Sequence, residues 1–298
     1  MITILDGGMG RELQRSGAPF RQPEWSALAL IEAPEAVEAV HRAFARAGAQ
    51  VITTNSYALV PFHIGEARFG AEGLALADRA GAVARAAVND FPGVKVAGSL
   101  PPVCGSYRPD LFDPAVAAPL LSVLIEGLAP HVDLWLAETL SALDEARAVI
   151  AQLKGNPRPL WLSFTLADGP GDRAVPGQLR SGEDVELAVQ LAHAAGAEAL
   201  LFNCSQPEVM QHAIERARIE VQRLGAALRL GVYANAFPPQ AEDAAANEGL
   251  SPLRDDLHPA GYLRWAERWI DAGATIVGGC CGIGPEHITA IAAHVKAA

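Results

Sequence analysis

Residues 274–288 read ATIVGGCCGIGPEHI: a short β-branched run, a glycine-rich turn carrying two adjacent cysteines, and a proline that opens an apolar helix. Successive side chains of a regular strand point to opposite faces, so Cys280 and Cys281 can share one target only where the strand has already broken. Glycines at 278, 279, 282 and 284 supply that break. Pro285 then suits the first turn of a helix, where its missing N–H costs nothing. The stretch is therefore one strand–turn–helix unit, with its chemistry in the turn.

The same unit recurs along the chain. Apolar runs at 2–5, 51–54, 95–99, 133–137, 160–164, 199–203, 228–233 and 274–278 read as strands. Segments with apolar residues at helical spacing follow them, at 36–47, 73–89, 115–128, 142–153, 183–195, 208–224, 259–272 and 285–296. Gly-Ala pairs at 48–49, 196–197 and 273–274 mark helix ends that feed the next strand. Eight βα units with continuously apolar strands predict an α/β protein, a single (β/α)8 TIM barrel spanning residues 1–298. An open doubly wound sheet is the alternative. The barrel demands that functional residues sit at the C-terminal strand ends. Asp6, Asn55, Tyr57, Ser99, Glu138, Cys204, Tyr233, Asn235, Cys280 and Cys281 all fall there. Two long loops, 101–113 and 235–258, are candidates for lids or substrate loops, the second equally for plain surface decoration.

Half the residues are hydrophobic and only 19% are charged, a globular profile that predicts no disordered tail. The net charge of -11 and the lack of a basic stripe argue against a nucleic-acid partner. The opening MITILDGGMG has neither a basic leader nor a long apolar run, so no signal peptide or membrane anchor is expected and the protein is read as cytoplasmic. Thiols stay reduced there, and cysteines serve as metal ligands or nucleophiles more often than as disulfides. No segment stands out as a partner helix, and self-association stays open.

Cys204, in LLFNCS at 200–205, ends the sixth strand, and Cys280 and Cys281 end the eighth. In a closed barrel these ends are near neighbours around one mouth. Three thiolates there make a soft site suited to Zn2+, and three protein ligands leave a tetrahedral ion one open position. Other readings stand beside it: cysteines as small core residues, a strained 280–281 disulfide, or a phosphate held by the glycine turn. Cys104, in the loop after the third strand, would close the site as a fourth ligand or remain a free thiol.

With GGCCG at 278–282, NCS at 203–205, DGGMG at 6–10 and AET at 137–139, the chain resembles the homocysteine S-methyltransferase family over nearly its whole length. The resemblance implies zinc-dependent transfer of a methyl group to the thiol of homocysteine, giving methionine, with Cys204, Cys280 and Cys281 as catalytic metal ligands. It implies that Asp6 and Glu138 bind the homocysteine ammonium and that Tyr57 lies near the metal and the methyl donor. Backbone N–H groups of Gly7, Gly8 and Met9 are candidate donors to the homocysteine carboxylate, and Asn203 is a candidate hydrogen-bonding partner of the Cys204 thiolate. Trp25 and Trp135 are further aromatics that could face a cation, with Trp135 assigned to the core. Three departures bear on the donor. Arg11 stands where many relatives carry threonine, the third loop is shorter, and YANAF at 233–237 lacks a proline after its tyrosine. Such enzymes use betaine, S-methylmethionine, S-adenosylmethionine or methyl-folate. A single helix follows the last motif, without the pterin and cobalamin modules or the C-terminal arm of other branches, so S-methylmethionine is the expected donor. Another donor, a thiol or selenol acceptor other than homocysteine, and a non-catalytic structural-zinc barrel are the alternatives.

Overall fold

The computed structural model describes residues 1–169, 175–238 and 252–297. Its strands are β1 (Thr3–Ile4), β2 (Val51–Thr53), β3 (Lys95–Leu100), β4 (Leu134–Leu140), β5 (Leu160–Phe164), β6 (Ala199–Asn203), β7 (Arg229–Tyr233) and β8 (Ile276–Val277). Three helices separate β1 from β2: α1 (Met9–Arg15), α2 (Ser26–Glu32) and α3 (Pro34–Ala47). Next come α4 (Pro61–Ile64), α5 (Glu66–Val88), α6 (Pro114–Leu128), α7 (Leu143–Gln152), α8 (Val185–Ala194), α9 (Pro207–Leu224), α10 (Pro259–Ala272) and α11 (Pro285–Ala297). The strands pair in parallel in the order β1-β8-β7-β6-β5-β4-β3-β2. A single parallel bridge between Leu5 and Val51 spans the remaining gap, giving the (β/α)8 barrel expected from the alternating pattern.

Two apolar layers explain why these runs fold this way. Leu5, Val51, Ala97, Leu134, Leu136, Trp161, Ala199, Leu201, Tyr233 and Ile276, drawn from all eight strand regions, form an interior cluster. The alternate strand residues, such as Ile52, Val96, Trp135, Leu162, Leu200 and Val232, join the larger cluster under the helices. Helix α3 shows the matching stripe. Val37, Val40, Phe44 and Ala45 are buried, and each large apolar side chain so buried contributes about 1.5–3 kcal/mol. His41 shares that buried face with neither ring nitrogen bonded, and burial pushes its pKa down to about 3, so it is neutral there. Gly48, Gly196 and Gly273, from the three Gly-Ala pairs, all have positive φ, as a glycine after a helix permits.

Three departures from the expected elements have local causes. Helices α1, α2 and α4, of 7, 7 and 4 residues, are too short to show a 3.6-residue period. Helix α5 begins at Glu66 instead of 73, because Gly70 and Gly73 dilute its apolar pattern, and Gly73 lets the Phe69 ring approach. Strand β4 runs through Glu138 to Leu140 and does not stop at Ala137; its register on β5 shifts between Ala137 and Leu140, and Thr139 has φ 60. That bulge re-aims the residues at the end of the strand. Most of the second long loop lies outside the described residues. Among those described, no helix is long and apolar enough to cross a membrane.

Candidate metal centre

The period-2 pattern that fills the barrel with apolar side chains turns polar at its upper end. Two residues beyond Ala97, Leu136, Trp161 and Leu201 on their strands come Ser99, Glu138, Ser163 and Asn203. All four are buried, and they form the floor on which the cysteine turns sit.

Cys204 leaves β6 with φ 48, an uncommon conformation for a side-chain-bearing residue, while its N–H donates to the Tyr233 carbonyl at 3.3 Å. The second turn is pinned from two sides. The Cys280 N–H donates to Ala234 O at 2.9 Å, and the Cys281 carbonyl accepts from Ala236 N at 2.8 Å. The Tyr262 hydroxyl reaches both Ala234 O and Gly278 O, at 3.1 and 2.8 Å, and ties the ends of β7 and β8 together. Gly8 must be glycine here: a Cβ would come within 2.6 Å of Cys280 O.

These turns bring the sulfurs of Cys204, Cys280 and Cys281 within 4.8 Å of one another. Cys204 and Cys281 are 3.9 Å apart, close to the about 3.8 Å expected of two sulfurs each about 2.3 Å from one tetrahedral zinc. The donor set therefore fits a thiophilic metal. Cys104 lies outside this group, with its thiol 3.8 Å from Asp113 O, which removes the four-sulfur closed site. Hydrogen bonds from Cys280, Cys281 and Tyr107 hold the Cys204 thiol well below its ordinary pKa, against burial. Hydrogen bonding to Cys204 pushes Cys280 and Cys281 well up, with burial acting in the same direction.

Two carboxylates face the same mouth. Asp6, 6% exposed, accepts from Thr53 N at 2.7 Å and Thr53 Oγ1 at 3.0 Å. Glu138, 8% exposed, accepts from the Ser99 and Tyr233 hydroxyls, the latter at 3.2 Å. Neither has a cationic partner among the described residues. Burial drives Asp6 up to about 8 against the Thr53 hydrogen bonds, with the Glu138 charge adding to the rise. Burial drives Glu138 up to about 7 against its two hydroxyl donors, with the Cys204 charge adding. A cation placed between two such carboxyls would favour their ionised forms.

Other candidates sit differently from expectation. The Gly8 N–H donates to Ile283 O at 2.9 Å, so it is already taken and is not available to a carboxylate. Gly7 and Gly8 instead permit close contact with Ile283, Phe44 and the Cys280 turn. Asn203 spends its side chain on Thr139 N, Thr139 Oγ1 and Ser163 Oγ, and none of these bonds reaches the Cys204 sulfur. Its position in the strand points it at the bulge. Tyr57 bonds Ser106 Oγ at 2.7 Å. The hydroxyl on the sulfur belongs to Tyr107, 2.9 Å from Cys204 Sγ, a residue marked in the sequence only by its place in the third loop. Trp135 is fully buried, as assigned, and Trp25 is half-buried with its ring edge-on to Phe20.

The chain is similar to known proteins over nearly its whole length. A sequence model described as homocysteine S-methyltransferase matches residues 3–295. The homocysteine S-methyltransferase of Escherichia coli is 30% identical over 322 aligned residues, covering 98% of this chain and 95% of that protein. The selenocysteine Se-methyltransferase of Brassica oleracea is 26% identical, covering 97% and 87%. The metallated form of the homocysteine methyltransferase MmuM from Escherichia coli superposes with a TM-score of 0.76 at 28% identity, covering 98% and 96%.

Proposed function

The chain belongs to the homocysteine S-methyltransferase family, and on that premise we propose that it transfers a methyl group from S-methylmethionine to homocysteine at a zinc ion held by Cys204, Cys280 and Cys281. One observation carries the reading: three convergent sulfurs share a barrel mouth with two buried carboxylates that have no cationic partner among the described residues. A bound zinc would supply the acidity that keeps a coordinated thiol deprotonated at neutral pH.

The chain's own residues do the rest. Asp6 and Glu138 receive the homocysteine ammonium, held in place by Thr53 on one side and by Ser99 and Tyr233 on the other. Binding that ammonium favours their ionised forms, so the acceptor carries its own compensation into the site. Three thiolate ligands outweigh a divalent charge, which keeps the acceptor sulfur electron-rich. The same negative surroundings attract a sulfonium. In the transfer, the homocysteine sulfur forms a bond to the methyl carbon as the bond from that carbon to the sulfonium sulfur breaks. The departing sulfur keeps the bonding pair, and the acceptor's thiol proton goes to solvent. Both products are methionine.

The test is a panel of S-methylmethionine, S-adenosylmethionine and betaine with homocysteine, read as methionine formed, with Cys280→Ser as control. S-methylmethionine should be the best donor. No methionine from any donor sinks the reading, and full activity in Cys280→Ser removes the metal from it. The selenocysteine-methylating relative recommends selenocysteine as a second acceptor.

A further inference from the structure

Cys204 is also bound into a circuit of side chains that the transfer itself does not use. Tyr107, on the loop after β3, has its hydroxyl 2.9 Å from Cys204 Sγ. Arg180, after β5, lays its guanidinium carbon 4.8 Å from the centre of the Tyr107 ring. Asp168 holds Arg180 at 2.5 Å, and its second oxygen accepts at 3.0 Å from the N–H of Gln206, two residues beyond Cys204. Gln206 Nε2 returns to the Asp168 carbonyl at 3.0 Å. The circuit starts and ends on the turn after β6, and passes through the loops after β3 and β5 on the way.

The backbone gives this circuit something to hold. Tyr107 has φ 64 and Cys204 has φ 48, conformations that residues with side chains keep only when their surroundings enforce them. A half-buried cation over an aromatic face is an attraction of comparable size to such strain. Arg180 is kept from swinging away by Asp168 and by Thr165 Oγ1, 3.3 Å from its Nη2.

We propose that Arg180 is a positioning residue: by holding the Tyr107 ring it keeps the Tyr107 hydroxyl on Cys204 and so governs how accessible that sulfur is and how firmly it stays on a metal. Arg180 thus acts on the centre without touching it. The consequence for metal retention rests on the zinc reading above, whereas the shielding of Cys204 does not.

Two rates on the full-length reduced protein test this: metal release to excess chelator, and alkylation of Cys204 by iodoacetamide after metal removal, followed by peptide mass analysis. Arg180→Met should raise both rates by about fivefold, the size of a lost cation–π contact, and Tyr107→Phe, which loses the hydroxyl on Cys204, by about fivefold as well, the size of a lost hydrogen bond. The double variant should be no faster than either single one, and Arg180→Lys should fall between wild type and Arg180→Met. Wild-type rates in Arg180→Met, or a double variant whose acceleration is the product of the two, overturns the proposal. If Arg180→Met does not fold, Arg180→Lys decides: it must lie between wild type and Tyr107→Phe, and a wild-type rate refutes. A protein that binds no metal still answers through alkylation, so the two readings fail separately.

Discussion

Asn203 holds Thr139 at two points: its Oδ1 accepts from the Thr139 N–H at 2.9 Å, and its Nδ2 donates to Thr139 Oγ1 at 2.8 Å. Thr139 is the residue with φ 60 in the β4 bulge, immediately after Glu138. The amide on β6 therefore fixes the aim of a carboxylate on β4. Replacing it with alanine leaves the Thr139 N–H without its buried acceptor, at about 1–3 kcal/mol. Asn203→Ala should melt roughly 3–8 °C lower and need more homocysteine for half-maximal rate. An unchanged KM would separate Asn203 from the aim of Glu138.

Metal content should follow the three sulfurs and ignore the fourth. Elemental analysis of reduced protein should find about one zinc per chain in wild type and in Cys104→Ser. Serine at 204, 280 or 281 should lower that occupancy and reduce the rate by about a hundredfold or more, as loss of a group that makes up the reaction centre does. Equal zinc in Cys281→Ser and wild type would contradict the ligand set.

Gly8→Ala probes the same centre without touching a ligand. The added methyl would lie 2.6 Å from Cys280 O and 3.0 Å from Cys281 Cα, so the cysteine turn must shift. Competition with a chromophoric chelator should show about tenfold weaker zinc binding, a shift worth about 1.4 kcal/mol. Wild-type affinity would mean that the turn yields freely.

Acidity at the carboxylate pair gives a prediction with a definite sign. Asp6 near 8 and Glu138 near 7 both carry protons at pH 6 that an incoming ammonium displaces. Apparent affinity for homocysteine should therefore rise from pH 6 to pH 8. In Glu138→Gln that rise should shrink and KM should increase by about tenfold, as expected for a lost charge-assisted hydrogen bond. Folding responds in the opposite direction. A carboxyl raised in the native state contributes stability that is complete below its unfolded pKa, near 4.5, and is lost as pH climbs through about 7. Urea midpoints of substrate-free wild type should fall relative to Glu138→Gln between pH 5 and pH 8. A constant difference would place the Glu138 pKa outside that window.

Much of this was legible in the chain. Repeating apolar runs with helical segments between them specify a barrel, because buried parallel strands need no polar alternation. The cysteine turns declare themselves, since sulfur after the sixth and eighth strands has one common meeting place. Less was visible wherever a role depends on partners distant in sequence. Asn203 beside Cys204 suggests a hydrogen bond to the neighbouring sulfur, yet strand alternation turns its amide toward Thr139 and Ser163. Tyr57 carries the family pattern, whereas Tyr107 reaches the sulfur by a backbone conformation that no composition or period announces.

The join between first and second strands has only one bridged pair, Leu5 with Val51, and the next rung is made by a side chain: Asp6 takes both the N–H and the hydroxyl of Thr53. The cylinder is fastened there by the same carboxylate that we propose receives the substrate ammonium. A cation arriving at Asp6 draws on the clasp that keeps the first βα unit against the second. On that proposal, occupancy of the mouth and the integrity of its rim are coupled through Asp6.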